Sequence, residues 1–336
     1  MKINLLIAAD DADYVGHLSR VLSEKHSSAF HVNACTSLER LGDLLSARSY
    51  DAALLEPAFA SAADLGAIRM PLLLLAENAA LGEGAGGLKR IRKYQRISTM
   101  AGSILELYAD VSKGKGMGVF EQSKAQITAV WSPAGGAGKT TAALAYAAYM
   151  ASSGKLAVYL DLECFSSTPA YFSGDGKSIS KAFEKLESNI QMFLMGIRQQ
   201  DIGSAIMYFN GPDNYDDMNI LTPDNVETIV NACAAEADAL VVDLPSQCDD
   251  RVKRVLGLAD AVLLVCDPSS TSQAKLAQFV GQHNVFGQIE HKTVLINNKG
   301  AKAANERFSR TIHLPLVNSV DPVSIYKTLS GSNFEW

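Results

Sequence analysis

Seven consecutive residues, Gly135, Gly136, Ala137, Gly138, Lys139, Thr140 and Thr141, follow the apolar run ITAVWS and precede an alanine-rich stretch that closes at Gly154. Glycine is required where backbone N–H groups must converge on phosphate oxygens, because a Cβ would block that approach. In such a loop the lysine lies over the β and γ phosphates and the first threonine hydroxyl reaches Mg²⁺, while the positive end of the following helix faces the anion. A strand before and a helix after are the context the pattern demands. Gly135 through Thr141 are therefore expected to bind a nucleotide, with Lys139 also serving the chemistry and Thr140 the metal.

A metal-bound triphosphate needs carboxylates further along the chain. Asp243 closes the apolar run DALVVD, where a strand end can bring it to the water shell of Mg²⁺. Asp161 and Glu163, in VYLDLEC, stand two residues apart, a spacing that puts both on one face of an extended strand and lets both aim at the phosphates. The six histidines form no metal-binding or catalytic spacing. The five cysteines are odd in number and lack a C-x-x-C pair, which predicts reduced thiols in the core rather than disulfides or zinc.

The elements that must position these groups alternate between short apolar strands and helices. In the first block the pattern predicts strands at 3–8, 30–35, 51–55, 71–75 and 88–94, with helices at 14–23, 38–47 and 98–111. In the second it predicts six strands, at 127–132, 157–161, 239–243, 261–267, 293–297 and 312–316, with a mixed region over 165–235. Such alternation implies parallel sheets covered on both faces, hence two doubly wound three-layer α/β/α domains. The glycine- and lysine-rich stretch VSKGKGMGVFEQSK separates them, giving domains at 1–112 and 125–336 with a linker at 113–124. At 336 residues, 48% hydrophobic and a mean hydropathy of +0.05, the chain excludes disorder, collagen and coiled coil. No apolar run is long enough to span a bilayer, so a cytoplasmic protein is expected. A net charge of -6 disfavours a nucleic-acid-binding role.

Residues 125–320 resemble the MinD/ParA group of P-loop ATPases, whose loop, D-x-D and D-x-P segments match AGGAGKT, Asp161-Leu162-Glu163 and Asp243-Leu244-Pro245. The resemblance implies ATP and Mg²⁺ as ligands and a homodimer that sandwiches the nucleotide. It places Asp161 near the metal, gives Glu163 the task of orienting the attacking water, and makes Asn297, in TVLINNK, the residue that recognises adenine. The sequence departs from the family in two places. Ala134 stands where the family lysine reaches across to the partner's phosphates, and Glu163 replaces an aspartate. Slow or partner-dependent hydrolysis follows from the lost cation.

The first block resembles a response-regulator receiver domain, with a flavodoxin-like fold, an acidic pair at Asp10 and Asp11 and a lysine at Lys93. Glu56 replaces the phosphorylatable aspartate, Ala76 the hydroxyl residue, and Tyr94 the proline after the lysine, so an atypical or pseudo-receiver used for contacts is expected. That domain order is similar to the TadZ/CpaE family, which implies pilus and secretion machinery proteins as partners and recruitment to a cell pole or the inner membrane face. A MinD/ParA-like ATPase that positions division sites, chromosomes or plasmids is the alternative, as is a nucleotide-bound scaffold that does not hydrolyse. The chain ends in VSIYKTLSGSNFEW, which lacks the basic amphipathic face needed for autonomous membrane insertion. The basic run Lys89, Arg90, Arg92, Lys93 and Arg96 reads as a solvated or interdomain face.

Overall fold

The computed structural model describes residues 2–27, 29–76, 88–111, 125–186, 190–235, 237–303, 306–331, 334 and 336; the expected linker over 113–124 lies outside them. Two compact units emerge, Met1–Phe120 and Glu121–Trp336.

The first unit runs β1 (Ile3–Ala8), α1 (Ala12–Lys25), β2 (Phe30–Cys35), α2 (Leu38–Ala47), β3 (Ala52–Leu55), α3 (Pro57–Ala62), β4 (Pro71–Leu75), β5 (Lys89–Arg92) and α4 (Ile97–Val111). All its strand pairs are parallel, in the order β2-β1-β3-β4-β5 of a flavodoxin-like doubly wound sheet. Helix starts follow the local chemistry. The Asp11 carboxylate caps α1 through the Tyr14 N–H, and the Ser37 hydroxyl caps α2 through the Arg40 N–H. Pro57 opens α3, where its missing N–H costs nothing.

The second unit begins with β6 (Gln126–Trp131), α5 (Lys139–Ser152) and β7 (Ala157–Asp161). It passes through α6 (Ser180–Phe183), α7 (Ile190–Ile197), β8 (Gln199–Gln200), β9 (Met207–Tyr208), α8 (Tyr215–Asn219) and α9 (Pro223–Ala234). It ends with β10 (Ala239–Asp243), α10 (Asp250–Leu258), β11 (Ala261–Cys266), α11 (Ser270–Val280), α12 (Phe286–Ile289), β12 (Thr293–Asn297), β13 (Thr311–His313) and α13 (Pro322–Leu329). The eight-stranded sheet has the order β13-β12-β11-β6-β10-β7-β9-β8 and is parallel except for the β8–β9 edge pair. β7 and β10 are buried along their whole length, as a sheet covered on both faces demands. Helix α5 lies close against this sheet because Ala142, Ala143, Ala145 and Ala147 present only methyl groups.

Four expectations need correction. The sheet has eight strands rather than six, because β8 and β9, two residues each, sit in the region that read as mixed. The last strand stops at His313 instead of reaching residue 316, since Pro315 has no N–H to give a ladder. Of the five cysteines, Cys248 is exposed and Cys164 only half-buried. Lys93, read with a solvated basic face, is 5% exposed because Glu56 pairs with it at 2.6 Å.

Among the described residues no helix is long and apolar enough to cross a membrane.

Candidate functional site

β6 and α5 are joined by the loop Ser132–Gly138. The Ser132 hydroxyl accepts the Ala134 N–H at 3.1 Å and starts the turn. Gly136 and Gly138 then take φ of +74° and +91°, a region where a side chain is strained. Gly138 caps α5 and is required for a second reason: a Cβ there would lie 2.2 Å from Asn298 Nδ2. Asn298 is buried and donates to the Ala137 carbonyl at 2.9 Å, while Lys299, itself at φ +53°, donates to the Gly136 carbonyl at 2.7 Å. The loop is thus held from the far side by the residues just after β12. Ala134, at the position of the family lysine, is 5% exposed.

Lys139 is buried at the start of α5, and its ammonium donates to Ser246 Oγ at 2.9 Å and pairs with a Glu163 carboxylate oxygen at 3.2 Å. Ser246 is brought there by the Asp243-Leu244-Pro245 segment, which the Trp131 indole anchors by donating to the Pro245 carbonyl at 2.9 Å.

Asp161 and Asp243 are paired in register at the ends of β7 and β10, so two carboxylates stand side by side in the interior. Burial raises both pKa values above the ordinary carboxylate range, with the Glu163 charge adding to the effect on Asp161 and the Asp161 charge to that on Asp243. Asp161 is partly relieved by the Ser166 hydroxyl at 2.6 Å and the Glu163 N–H at 2.8 Å. Asp243 accepts from the Tyr159 hydroxyl at 3.0 Å on Oδ2, but its Oδ1 is buried without a hydrogen-bond partner. An orphaned carboxyl oxygen facing the helix that carries Thr140 suits a hard divalent cation, which binds through one or two carboxylates plus hydroxyl, phosphate and water oxygens. Among the described residues no cluster of three or more His, Cys, Asp or Glu side chains forms a metal cage. Such a metal site therefore depends on oxygens that arrive with the ligand.

Beyond the loop, a groove of about 1070 Å³ is lined by Gly300, Lys302, Ala303, His313, Pro315 and Phe334. Asn297 lies beneath it, wholly buried, with Nδ2 donating to the Ala303 carbonyl at 2.8 Å and Oδ1 unpartnered. The structure thus gathers Lys139, Thr140, Asp161, Glu163 and Asp243 around one loop and sets Asn297 at the neighbouring strand end.

Sequence reasoning missed Tyr159, Ser166, Ser246, Asn298 and Lys299. Ser246 had a visible signal, its position directly after the D-x-P segment. A tyrosine inside a fully apolar strand is the other mark that could have been questioned, because a buried phenol must find an acceptor.

No protein-family model and no curated protein matches the chain. Among solved structures, a ParA family ATPase from Chlorobium tepidum TLS superposes with a TM-score of 0.50 at 18% identity, covering 61% of this chain and 90% of that one. A putative plasmid partition protein from Borrelia burgdorferi B31 bound to AMPPNP gives 0.46 at 17% identity, over 62% and 97% of the two chains. The septum site-determining protein MinD from Pyrococcus horikoshii OT3, complexed with Mg-ADP, gives 0.46 at 12% identity, over 61% and 94%. The loop, the strand order and the first of these similarities define the class: a P-loop nucleoside triphosphatase fold of the MinD/ParA type.

Proposed function

We propose that the chain is a cytoplasmic ATP-dependent switch that works as a homodimer to localise or assemble a Tad-type (Flp) pilus machinery. One observation carries the nucleotide part: a glycine cradle with a buried lysine stands against a buried aspartate whose Oδ1 has no partner. A divalent cation held there would satisfy it.

When bound, magnesium-ATP supplies the transferable phosphoryl group and the Lewis acid that spreads its charge. The chain's own groups do the rest. The amides of Gly135 to Thr141 would grip the phosphates, and Thr140, Asp161 and Asp243 would hold the metal. Lys139, now paired with Glu163 and Ser246, would turn to the phosphate oxygens, and Glu163 would orient the attacking water. The groove beside Gly300 and Pro315 would take adenine, with Asn297 at the neighbouring strand end as the residue that recognises it. Ala134 offers no cation to a partner's phosphates, which makes hydrolysis slow or dependent on a partner.

Residues 1–112 we read as an atypical receiver. Glu56 accepts the Asp10 N–H at 3.0 Å and the buried Lys93 ammonium at 2.6 Å, so the groups that would handle a phosphoryl donor are spent on each other. The pilus assignment rests on the order of the two domains, with 113–124 as their linker and 125–336 as the ATPase.

Sedimentation of the full chain with ATP, ADP or neither tests the switch. A dimer favoured by ATP and lost in Lys139→Ala is expected. Identical behaviour in all three conditions would leave a scaffold.

A further inference from the structure

The segment that follows β7 carries an exposed aromatic pair that the nucleotide chemistry does not use. Phe165 is 80% exposed, and its ring stacks on that of Tyr215 at 5.9 Å between centroids and 21° between planes. Ile220, 72% exposed, follows on the far side of α8, next to Asn219, whose Oδ1 accepts from Cys164 Sγ at 3.8 Å. Phe165 and Tyr215 border a cleft of about 500 Å³ whose other walls include Pro169 and Pro212. Two large rings left in water beside an open cleft form a surface of the kind that binds something.

The local charge selects what it binds. Residues 199–250 contain eleven carboxylates and no lysine, arginine or histidine. Those of α9 and α10 are spent on Arg254, Arg251 and Lys253. Asp213 and Asp216, both exposed, stand on either side of Tyr215 in the chain; Asp213 lines the cleft with the two rings and carries a Lys181 ion pair at 3.8 Å. A π face flanked by carboxylates attracts a cation, arginine above all, because the guanidinium stacks on the ring while its edge meets the acid. The same rim repels nucleic acid and anionic lipid.

The shelf is also tied to the candidate metal site. Ser166, next to Phe165, donates to Asp161 Oδ2 at 2.6 Å, and its Cβ sits 2.3 Å from where a side chain on Gly211 would begin. A shift of the backbone at 165–166 would therefore disturb Asp161 or the turn before Tyr215.

We propose that Phe165 and Tyr215, with Asp213 in the same cleft and Asp216 next to Tyr215 in the chain, are a docking shelf for an arginine-bearing segment of a partner protein. Through Ser166, occupancy of the shelf reaches Asp161. That coupling rests on the ATPase reading; the docking does not.

The test uses the full chain without nucleotide and a fluorescent peptide of alternating arginine and leucine, with a citrulline–leucine peptide as the uncharged control. Anisotropy should show the arginine peptide binding and the control failing. Phe165→Leu, which keeps apolar area but removes the π face, should weaken binding roughly 3- to 30-fold, as should Tyr215→Leu. Phe165→Tyr should retain it, and Asp213→Asn with Asp216→Asn should reduce both affinity and its salt dependence. Phe165 is exposed, so its variants should fold normally. Absence of binding to the unaltered chain, or equal binding by Phe165→Leu, overturns the proposal. Self-association lost in Phe165→Leu would overturn it too, by making a second copy the occupant. Lys139→Ala should leave peptide binding unchanged while removing labelled ATP, so failure of the nucleotide reading registers separately.

Discussion

Gly138→Ala probes the loop more sharply than removal of any charged group. The added Cβ meets two obstacles, a φ of +91° and Asn298 Nδ2 at 2.2 Å. Holding a non-glycine residue in the left-handed region costs about 1–2 kcal/mol. Displacing Asn298 breaks its buried hydrogen bond to the Ala137 carbonyl, which costs about 1–3 kcal/mol more. The phosphate-binding conformation should thus lose roughly 2–5 kcal/mol, which at about 1.4 kcal/mol per decade weakens ATP binding roughly 30- to 4,000-fold. Isothermal titration with the full chain measures it directly. Pairing the change with Asn298→Ala should add little, because the displaced amide has already lost its bond to the Ala137 carbonyl, so the double variant should bind about as weakly as Gly138→Ala alone. Binding by Gly138→Ala within about threefold of the unaltered chain would refute the reasoning, because neither cost could then be real at the scale these energies set.

Four further expectations follow from the structure. Tyr159→Phe leaves the buried Asp243 without its only tyrosine donor, and the nucleotide-free protein should lose about 1–3 kcal/mol in denaturant titration. Because Asp161 and Asp243 have folded-state pKa values raised to about 6 and about 8, the folded state holds protons that the unfolded state releases; nucleotide-free stability should fall as pH rises through that window. Magnesium-ATP affinity should rise over the same window, since the metal binds the deprotonated acids, and Asp243→Asn should flatten the profile. Glu56→Ala strands the buried Lys93 ammonium and should destabilise the first unit by about 3 kcal/mol, whereas incubation with acetyl phosphate should leave the unaltered chain unlabelled at Glu56.

Both sheets were legible because their strands are short apolar runs between helical patterns, and the phosphate loop was legible because glycines at fixed spacing admit few other uses. What escaped the sequence did so for physical reasons. β8 and β9 are two residues each, too short for any period to register. Lys93 sat within a run of cations, and nothing local announced that Glu56, 37 residues earlier, would bury it as a pair. Asn298 and Lys299 grip the loop from more than 160 positions away in the chain, a contact created by the neighbouring strands and invisible to local pattern. The alternation that put Asp161 and Glu163 on one face holds only within a strand. The strand ends at Asp161, and Glu163 reaches Lys139 by a turn in which its own N–H bonds to the Asp161 carboxylate.

The most direct measurement is a titration of the full chain with ATP in the presence and absence of magnesium, repeated on Lys139→Ala and Asp243→Asn. Binding that requires Lys139, tightens with magnesium and loses that tightening in Asp243→Asn is the predicted result. Equal heats for all three proteins, or none for the unaltered chain, would contradict a nucleotide held by this loop.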